Sequence, residues 1–207
     1  MNEIYITYVL MGLAILVSLK GFNDAHFTDQ YLYKPYNVKH HKEYYRIISH
    51  QFLHADPTHL IFNMIGLYFF GPVVEDIFRT DYGMIGGGSV FLIFFLLGGI
   101  FSTTIPYLRH KDNDLYRSLG ASGAVSAIIF AGILFRPDMQ MGLIFLPIYI
   151  PSYIFGPLYL LVEFLSDRYG KSRIAHDAHI GGALFGILFV LITYIDRVKL
   201  FINYLIS

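Results

Sequence analysis

Six stretches without a charged side chain divide this sequence and restrict the folds open to it. They cover residues 4–19, 57–74, 82–108, 118–135, 139–162 and 178–195. A helix rises about 1.5 Å per residue, so each stretch approaches or exceeds the length that crosses a bilayer core of roughly 30 Å. The sequence therefore predicts an all-α, polytopic membrane protein, a bundle of six transmembrane helices.

The composition supports a membrane chain and excludes several soluble classes. Hydrophobic residues make up 55% of the sequence and charged residues 14%, against about 25% charged in ordinary globular proteins. Fifteen basic and fifteen acidic side chains balance, so no basic field attracts nucleic acid, and we expect no such partner. Because cysteine is absent, disulfides, thiolate metal sites and cysteine nucleophiles are excluded.

The chain is predicted to form a single membrane domain over residues 1–207. We place the spans at about 4–20, 58–78, 83–108, 119–135, 147–165 and 177–196, with one long connection at 21–57. That connection is too polar to span, and its tyrosines favour a position at the lipid headgroups. No basic residue precedes the first stretch and no A-x-A-like site follows it, so we expect a retained span.

Polar residues of catalytic type cluster where three of the spans begin. Successive spans alternate in direction, so the second, fourth and sixth begin on the same side of the membrane. His59, Ser122 and His179 lie within about one helical turn of these three beginnings. Asn63 follows His59 by four residues, which places its amide on the same helical face. The pattern predicts one layer holding a hydroxyl, two imidazoles and an amide.

Small residues accompany these polar groups. Gly120 and Gly123 flank Ser122, and Gly182 lies one turn after His179. Glycine lets membrane helices approach closely where lipid supplies no hydrophobic driving force. We therefore expect Gly120, Gly123 and Gly182 to support close packing of the fourth and sixth spans.

The motifs resemble those of one protease family. Residues 120–123 read GASG at the fourth span, residues 178–182 read AHIGG at the sixth, and His59 and Asn63 open the second. In this order they are similar to the G-x-S-G, A-H-x-x-G and H-x-x-x-N motifs of rhomboid intramembrane serine proteases. The resemblance covers the chain from the first span to the sixth.

The long connection extends the resemblance. Glu43, Tyr45 and Arg46 stand where the family has an E-x-W-R-like element, with tyrosine in place of tryptophan. His50 and His54 follow them, and we interpret these two histidines as structural parts of the loop.

The resemblance implies a serine endopeptidase with a Ser-His dyad. Ser122 is the expected nucleophile, and His179 is the expected general base that takes its proton, giving an acyl-enzyme. His59, Asn63 and the backbone N–H of Ser122 are the expected oxyanion donors. The site needs no metal and no other cofactor. Asp177 is not expected to orient His179, because residues two apart on a helix do not face each other.

Three further features carry expectations. Many family members stack an aromatic four residues after the serine on the histidine, but Ser126 occupies that position here, so the packing partner of His179 stays open. Glu75 and Glu163 are interpreted as structural charges, neither of them near the serine. Three prolines between 147 and 157 interrupt the fifth stretch, so that span should begin irregularly, near Tyr149.

The resemblance also implies partners and a location. The expected partners are the lipid bilayer and membrane proteins cut within transmembrane segments, and the expected location is a bacterial cytoplasmic membrane with the site toward the outer side. Counting Lys and Arg opposes that orientation. Eleven, Lys171 and Arg173 among them, lie on the catalytic side and four on the other, which favours an active layer in the cytoplasm. We follow the family in this expectation.

Two other functions fit the residues less well. A metal-dependent membrane peptidase would use His50, His54 and His59 as ligands, but the sequence has no H-E-x-x-H motif. An inactive scaffold with the same fold would usually lack the serine or the histidine, and both are present. A fluorophosphonate probe and a chelator would separate the three alternatives.

Overall fold

The structure, a computed structural model, describes residues 5–143, 146–169 and 175–206. These residues form ten α-helices, one two-stranded hairpin and a 3-10 turn at His50–Phe52. The helices are α1 (Ile6–Asn23), α2 (Ala25–Tyr31), α3 (Pro35–His41), α4 (Arg46–Ser49), α5 (Pro57–Ser102), α6 (Thr104–His110), α7 (Ser122–Phe135), α8 (Ser152–Tyr169), α9 (His176–Thr193) and α10 (Ile195–Ile206). The antiparallel strands are β1 (Gln140–Leu143) and β2 (Leu146–Pro151).

The prediction of an all-α membrane fold is confirmed at this level. Among the described residues, three helical stretches are long and apolar enough to cross a bilayer: Ile6–Asn23, Pro57–His110 and His176–Thr193. Helix α7 is apolar but shorter. The number of membrane crossings stays a prediction. Residue 4, where we began the first span, and Lys171 and Arg173 of the charge count lie outside the described residues.

Helix α5 spans what we predicted as the second and third spans. Its 46 residues rise, at about 1.5 Å each, more than twice a hydrocarbon core of roughly 30 Å. The helical conformation is interrupted at Gly83, where φ is 73°, a value open to glycine but costly for other residues. We expected the second span to end at about residue 78 and the third to begin at residue 83. The break falls just after that expected connection, at Gly83.

The fifth predicted span begins later than expected. Residues 146–151 form strand β2 rather than helix, and α8 begins at Ser152 instead of residue 147 or Tyr149. Proline removes a backbone donor and cannot continue a helix, which explains why the segment between Pro147 and Pro151 is extended. Ser152 then anchors the start of α8 by donating through Oγ to the carbonyl of Arg136, at 3.0 Å.

Helix α7 occupies the centre of the bundle. Eleven of its fourteen residues are buried, and it packs against α5 on one side and α9 on the other. A helix that is apolar all round is typical of a protein core or of a membrane span. Ser122 at its first position is therefore fixed by the best-packed element of the fold.

The predicted connection at 21–57 contains short helices that Arg46 holds together. The Arg46 guanidinium is buried, pairs with Glu43, and donates to the carbonyls of Asp29 and Leu32 at 2.9 Å and 2.8 Å. A buried guanidinium is stable only with partners of this kind. The Glu43 and Arg46 element thus acts as an internal clamp of the loop.

Two features lie away from the serine. Glu75 is fully buried and accepts from the N–H groups of Ile6 and Thr7, so it caps the start of α1 at the opposite end of the bundle from Ser122.

Helix α10 follows α9 and was not predicted. It carries Asp196 and Lys199 beside exposed apolar residues. These charges lie outside the uncharged stretches from which we predicted the helices, so the pattern did not indicate α10.

Candidate active site

Ser122 is the first residue of α7 and follows a shaped turn. Gly120 has φ of 132°, a backbone conformation that side chains rarely adopt. The N–H of Gly120 donates to the carbonyl of His50 at 3.0 Å, and the N–H of Ala121 donates to Nε2 of His54 at 3.4 Å. Residues of the long connection therefore fix the turn that presents the Ser122 hydroxyl.

His50 and His54 are buried supports of this turn. His54 Nδ1 is 2.9 Å from Oγ of Ser18, and His50 Nδ1 is 2.8 Å from the carbonyl of Arg46. Burial lowers the pKa of His50 to about 4 and that of His54 to about 3, the latter lowered further by His59. Both rings are therefore neutral at physiological pH, in agreement with the interpretation of structural loop histidines.

His59 lies beside the serine turn. Asp56 caps α5 by accepting from the N–H of His59 at 2.8 Å. A Cβ placed on Gly120 would be 2.9 Å from Nε2 of His59 and 3.6 Å from Oγ of Ser122. The imidazole edge and the hydroxyl therefore border the same small space, which only glycine at 120 leaves open.

Asn63 lies one turn deeper than His59. Its Nδ2 donates to the carbonyl of His59 at 2.9 Å, while its Oδ1 is buried without a hydrogen-bond partner. The amide nitrogen carries two N–H groups, so one stays available for another acceptor. The structure thus places both predicted oxyanion side chains on one face of α5.

His179 approaches the serine through helix contact. A Cβ on Gly182 would overlap the carbonyl of Gly123, and one on Gly181 would be 3.1 Å from Cα of Ser102. Helices α7 and α9 are therefore in backbone contact at the residue after Ser122 and about one turn beyond His179.

No hydrogen bond joins Ser122 to His179 among the contacts of the described residues. The two side chains lie on α7 and α9, whose backbones are in contact at Gly123 and Gly182.

Glu163 was placed wrongly by the sequence analysis. We predicted it away from the serine, but its Oε2 is 3.1 Å from Nδ1 of His179 and 2.6 Å from Nδ1 of His176. The Glu163 side chain is only 11% exposed. The missed signal was topological: the fifth span ends on the side where the fourth and sixth begin, so a carboxylate at its end faces their histidines.

These three side chains also form a possible metal site. One ligand atom from each of Glu163, His176 and His179 lies within 4.8 Å of the others, a geometry found for no other such group in the described residues. Two imidazoles and a carboxylate suit Zn²⁺. The predicted ligand set of the metal peptidase is different: the His50 and His54 side chains bind Arg46 and Ser18 instead.

Asp177 points to another partner. Arg109 on α6 lies 3.5 Å from Oδ2 of Asp177 and 2.9 Å from Oδ2 of Asp167 on α8. Asp177 also accepts from the N–H of Ala178 at 2.9 Å. Asp177 therefore joins an ion-pair group in which Arg109 links α6, α8 and α9, and its carboxylate is not directed at His179, as the argument from helical spacing predicted.

Ser126 contacts an aromatic residue from a neighbouring helix. Its Oγ is 3.0 Å from the hydroxyl of Tyr159 on α8, whose ring also packs against Phe130. Among the described rings, the contact of His179 is with His176, centroids 6.1 Å apart. Among the described residues, the ring that packs near His179 is thus supplied by the start of α9, and Tyr159 of α8 contacts Ser126 instead.

The comparisons with known proteins give the same family as the motifs. The Rhomboid domain matches residues 41–195, which include both helices of the proposed dyad and the second part of the long connection. The chain belongs to the rhomboid family. RHOMBOID-like protein 12, mitochondrial, of Arabidopsis thaliana is 28% identical over 190 residues, covering 88% of this rhomboid and 56% of the relative.

Two other relatives set the range of similarity. The human presenilin-associated rhomboid-like protein, mitochondrial, is 29% identical over 67% of this chain and 35% of its own length. Rhomboid-like protein 11, chloroplastic, of Arabidopsis thaliana is 23% identical over 88% of this chain and 62% of its own length. This rhomboid thus spans between about a third and two thirds of these relatives.

The relatives correct the predicted location. All three carry a mitochondrial or chloroplastic name, so the expectation of a bacterial cytoplasmic membrane is wrong. The expected orientation, with the active site toward the outer side, was stated for that membrane and is therefore withdrawn as well. Spans of about 20 apolar residues suit any bilayer, which is why hydropathy carried no information on the compartment.

Proposed function

We propose that this rhomboid is an intramembrane serine endopeptidase that cleaves transmembrane segments of membrane proteins. The observation that carries the proposal is the meeting of Ser122 and His59 around the space beside Gly120, with α9, the helix of His179, in backbone contact with α7 at Gly182. Family membership supports the same class of activity.

In the proposed reaction, Ser122 attacks a peptide carbonyl while His179 takes the hydroxyl proton. The carbon–nitrogen bond then breaks, His179 returns the proton to the leaving amine, and an acyl-enzyme remains on Ser122. Water hydrolyses that ester with His179 again acting as base. No metal or organic cofactor takes part in these steps.

The oxyanion of the tetrahedral intermediate needs donors on the side of the turn. The N–H of Ser122 is at the first turn of α7, where backbone donors have no intrahelical acceptor. His59 Nε2 borders the same space, and Asn63 has a second amide N–H. Removing one such donor typically costs about 2.7 to 4 kcal/mol of transition-state stabilisation.

We propose a single domain over 1–207 with six crossings in an organellar membrane. The crossings are α1, the two parts of α5 on either side of Gly83, α7, α8 and α9. The mitochondrial and chloroplastic relatives support the compartment, and the three long apolar stretches support the multi-pass arrangement. The substrates are membrane proteins, whose helices must unwind locally before a carbonyl reaches Ser122.

The decisive experiment uses the purified full chain in liposomes with a model transmembrane substrate and a fluorophosphonate probe. Wild type should cleave the substrate and take up the probe, whereas Ser122→Ala and His179→Ala should do neither. Both variants should keep a thermal midpoint within about 3 °C of wild type, because each change is small and lies near a polar end of the bundle. More than a few per cent residual turnover in Ser122→Ala would exclude the serine mechanism.

The same experiment separates the two competing functions. Loss of cleavage with a chelator, together with no probe uptake, would indicate a metal peptidase. The Glu163, His176 and His179 group makes that outcome worth testing. Neither cleavage nor probe uptake in the folded wild type would indicate an inactive scaffold.

A further inference from the structure

A buried carboxylate faces the proposed general base, and the dyad does not use it. Glu163 Oε2 lies 3.1 Å from Nδ1 of His179, and the two side chains are 11% and 12% exposed. A carboxylate in such a setting is costly unless nitrogen donors satisfy it. Two imidazole Nδ1 atoms, those of His176 and His179, lie within reach of this carboxylate.

The nitrogen that faces Glu163 determines what the other nitrogen can do. A neutral imidazole carries one proton, and a carboxylate beside Nδ1 favours the tautomer with the proton there. Nε2 is then unprotonated and able to accept the proton of Ser122. When it does so, the carboxylate also stabilises the resulting imidazolium, as the acid does in Ser-His-Asp sites.

We infer that Glu163 is a positioning residue that holds the His179 ring through Nδ1, so that Ser122, His179 and Glu163 act as a triad. The inference rests on the proposed function, because it assumes that His179 is the base. At 3.1 Å the pair is close but not aligned for a linear hydrogen bond, and rotation of the ring on substrate binding completes it.

The register of the helices supports this role. Ser126 lies one turn after Ser122 on α7, and Tyr159 lies one turn before Glu163 on α8. The bond of 3.0 Å between Ser126 and Tyr159 therefore fixes the two helices one turn away from the reacting layer. With that tie in place, Glu163 is held at the level of His179.

The other acidic side chains near the site form ion pairs elsewhere. Asp177 and Asp167 both pair with Arg109. Glu163 is therefore the one carboxylate of the described residues within 4 Å of the His179 ring. Two structural roles compete with the inference: Glu163 tying α8 to α9 through His176, or Glu163 serving as a metal ligand.

The test compares variants of the full chain in liposomes, by kcat and KM on a transmembrane substrate and by the rate of fluorophosphonate labelling. Glu163→Gln should lower kcat and the labelling rate about 10²- to 10⁴-fold with KM within about threefold, because the wrong tautomer is favoured while the binding surface is kept. Glu163→Asp retains the charge, so its kcat and labelling rate should be at least about tenfold higher than those of Glu163→Gln. Asp167→Asn, an acid to amide change one turn along α8, should keep the wild-type kcat.

The remaining arms distinguish the alternatives. A kcat for Glu163→Gln within about threefold of wild type overturns the inference while leaving the serine mechanism intact. His176→Asn as damaging as Glu163→Gln overturns it in favour of a helix tie. A chelator that reduces wild type to the level of Glu163→Gln overturns it in favour of a metal. If Glu163→Gln does not fold, Glu163→Ala replaces it, and a wild-type kcat in that variant overturns the inference. Absence of labelling in folded wild type overturns both this inference and the proposed function.

Discussion

Gly182 on α9 lies so close to the carbonyl oxygen of Gly123 on α7 that a Cβ at position 182 would overlap it. The contact is between backbones, so neither partner can rotate away as a flexible side chain would. It lies next to Ser122 on α7 and about one turn beyond His179 on α9, so it fixes the separation of the two helices that carry these side chains.

Replacing Gly182 by Val should inactivate the enzyme through geometry. The branched side chain forces α7 and α9 apart, and a displacement on the order of 1 Å can cost about a hundredfold when two groups must be aligned. We expect fluorophosphonate labelling of Ser122 to slow by at least that factor. Gly12→Val is the matched control, because no atom lies within 4 Å of a Cβ placed on Gly12. Wild-type labelling by Gly182→Val would contradict the helix contact.

Asp177 should prove dispensable for chemistry. Its carboxylate is engaged by Arg109 and by the N–H of Ala178 rather than by His179. Asp177→Asn keeps the shape of the side chain, so we expect activity within about tenfold of wild type. The measurement is kcat on a transmembrane substrate, with His179→Ala alongside. A loss comparable to that of His179→Ala would mean that Asp177 orients the base after all.

The parts of the site that could be predicted are those carried by local sequence. Ser122 and Gly123 adjoin in one motif, and Gly182 follows His179 by three residues, so spacing alone put each pair on its helix. Glu163 was missed because its partners are 13 and 16 residues away, across a change of chain direction. Hydropathy gives the length of a span but not which polar groups meet at its ends.

The same limit applies to the fold. The uncharged stretch at 139–162 suggested one membrane helix, whereas its first part forms the strands β1 and β2. An apolar run does not distinguish a hairpin from a helix, and only the prolines indicated the interruption. The break within α5 was displaced for a related reason, since Gly83 rather than the charged residues before it leaves the helical conformation.

Acid should destabilise the fold through His50 and His54. The unfolded chain takes up these protons near the ordinary histidine pKa of about 6.5, whereas burial lowers the pKa of His50 to about 4 and that of His54 to about 3. The folded state therefore binds fewer protons than the unfolded state. The contribution of the two neutral rings to the free energy of unfolding is fully present above about pH 6.5, and it is lost as the pH falls from there toward the folded pKa values. We expect the thermal midpoint in detergent to fall between about pH 7 and pH 5.

A histidine substitution checks the source of that pH dependence. His54→Gln removes one titrating group while keeping a polar atom toward Ser18, so the decline of the thermal midpoint with acid should become shallower. His26 is exposed on α2, and His26→Gln should leave the slope unchanged. Equal slopes in wild type and in His54→Gln would show that other groups control the acid sensitivity.

Glu75 should determine stability without affecting catalysis. Its two oxygens accept from the N–H groups of Ile6 and Thr7, from Oγ1 of Thr7 at 2.7 Å and from Arg79 at 2.6 Å. Because the carboxylate is fully buried, removing it leaves the first N–H groups of α1 without their acceptor. Breaking a buried pair of this kind costs about 3 to 5 kcal/mol.

Glu75→Ala should therefore lower the free energy of unfolding by about that amount, measured by denaturation in mixed micelles. The folded fraction should keep the wild-type kcat, because the group lies at the opposite end of the bundle from Ser122. The neighbouring Asp76 is exposed and bonds to Tyr5, so Asp76→Ala is the matched control and should cost less than about 1 kcal/mol. A large fall in kcat for the folded Glu75→Ala protein would instead mean that the start of α1 is coupled to the serine layer through α5.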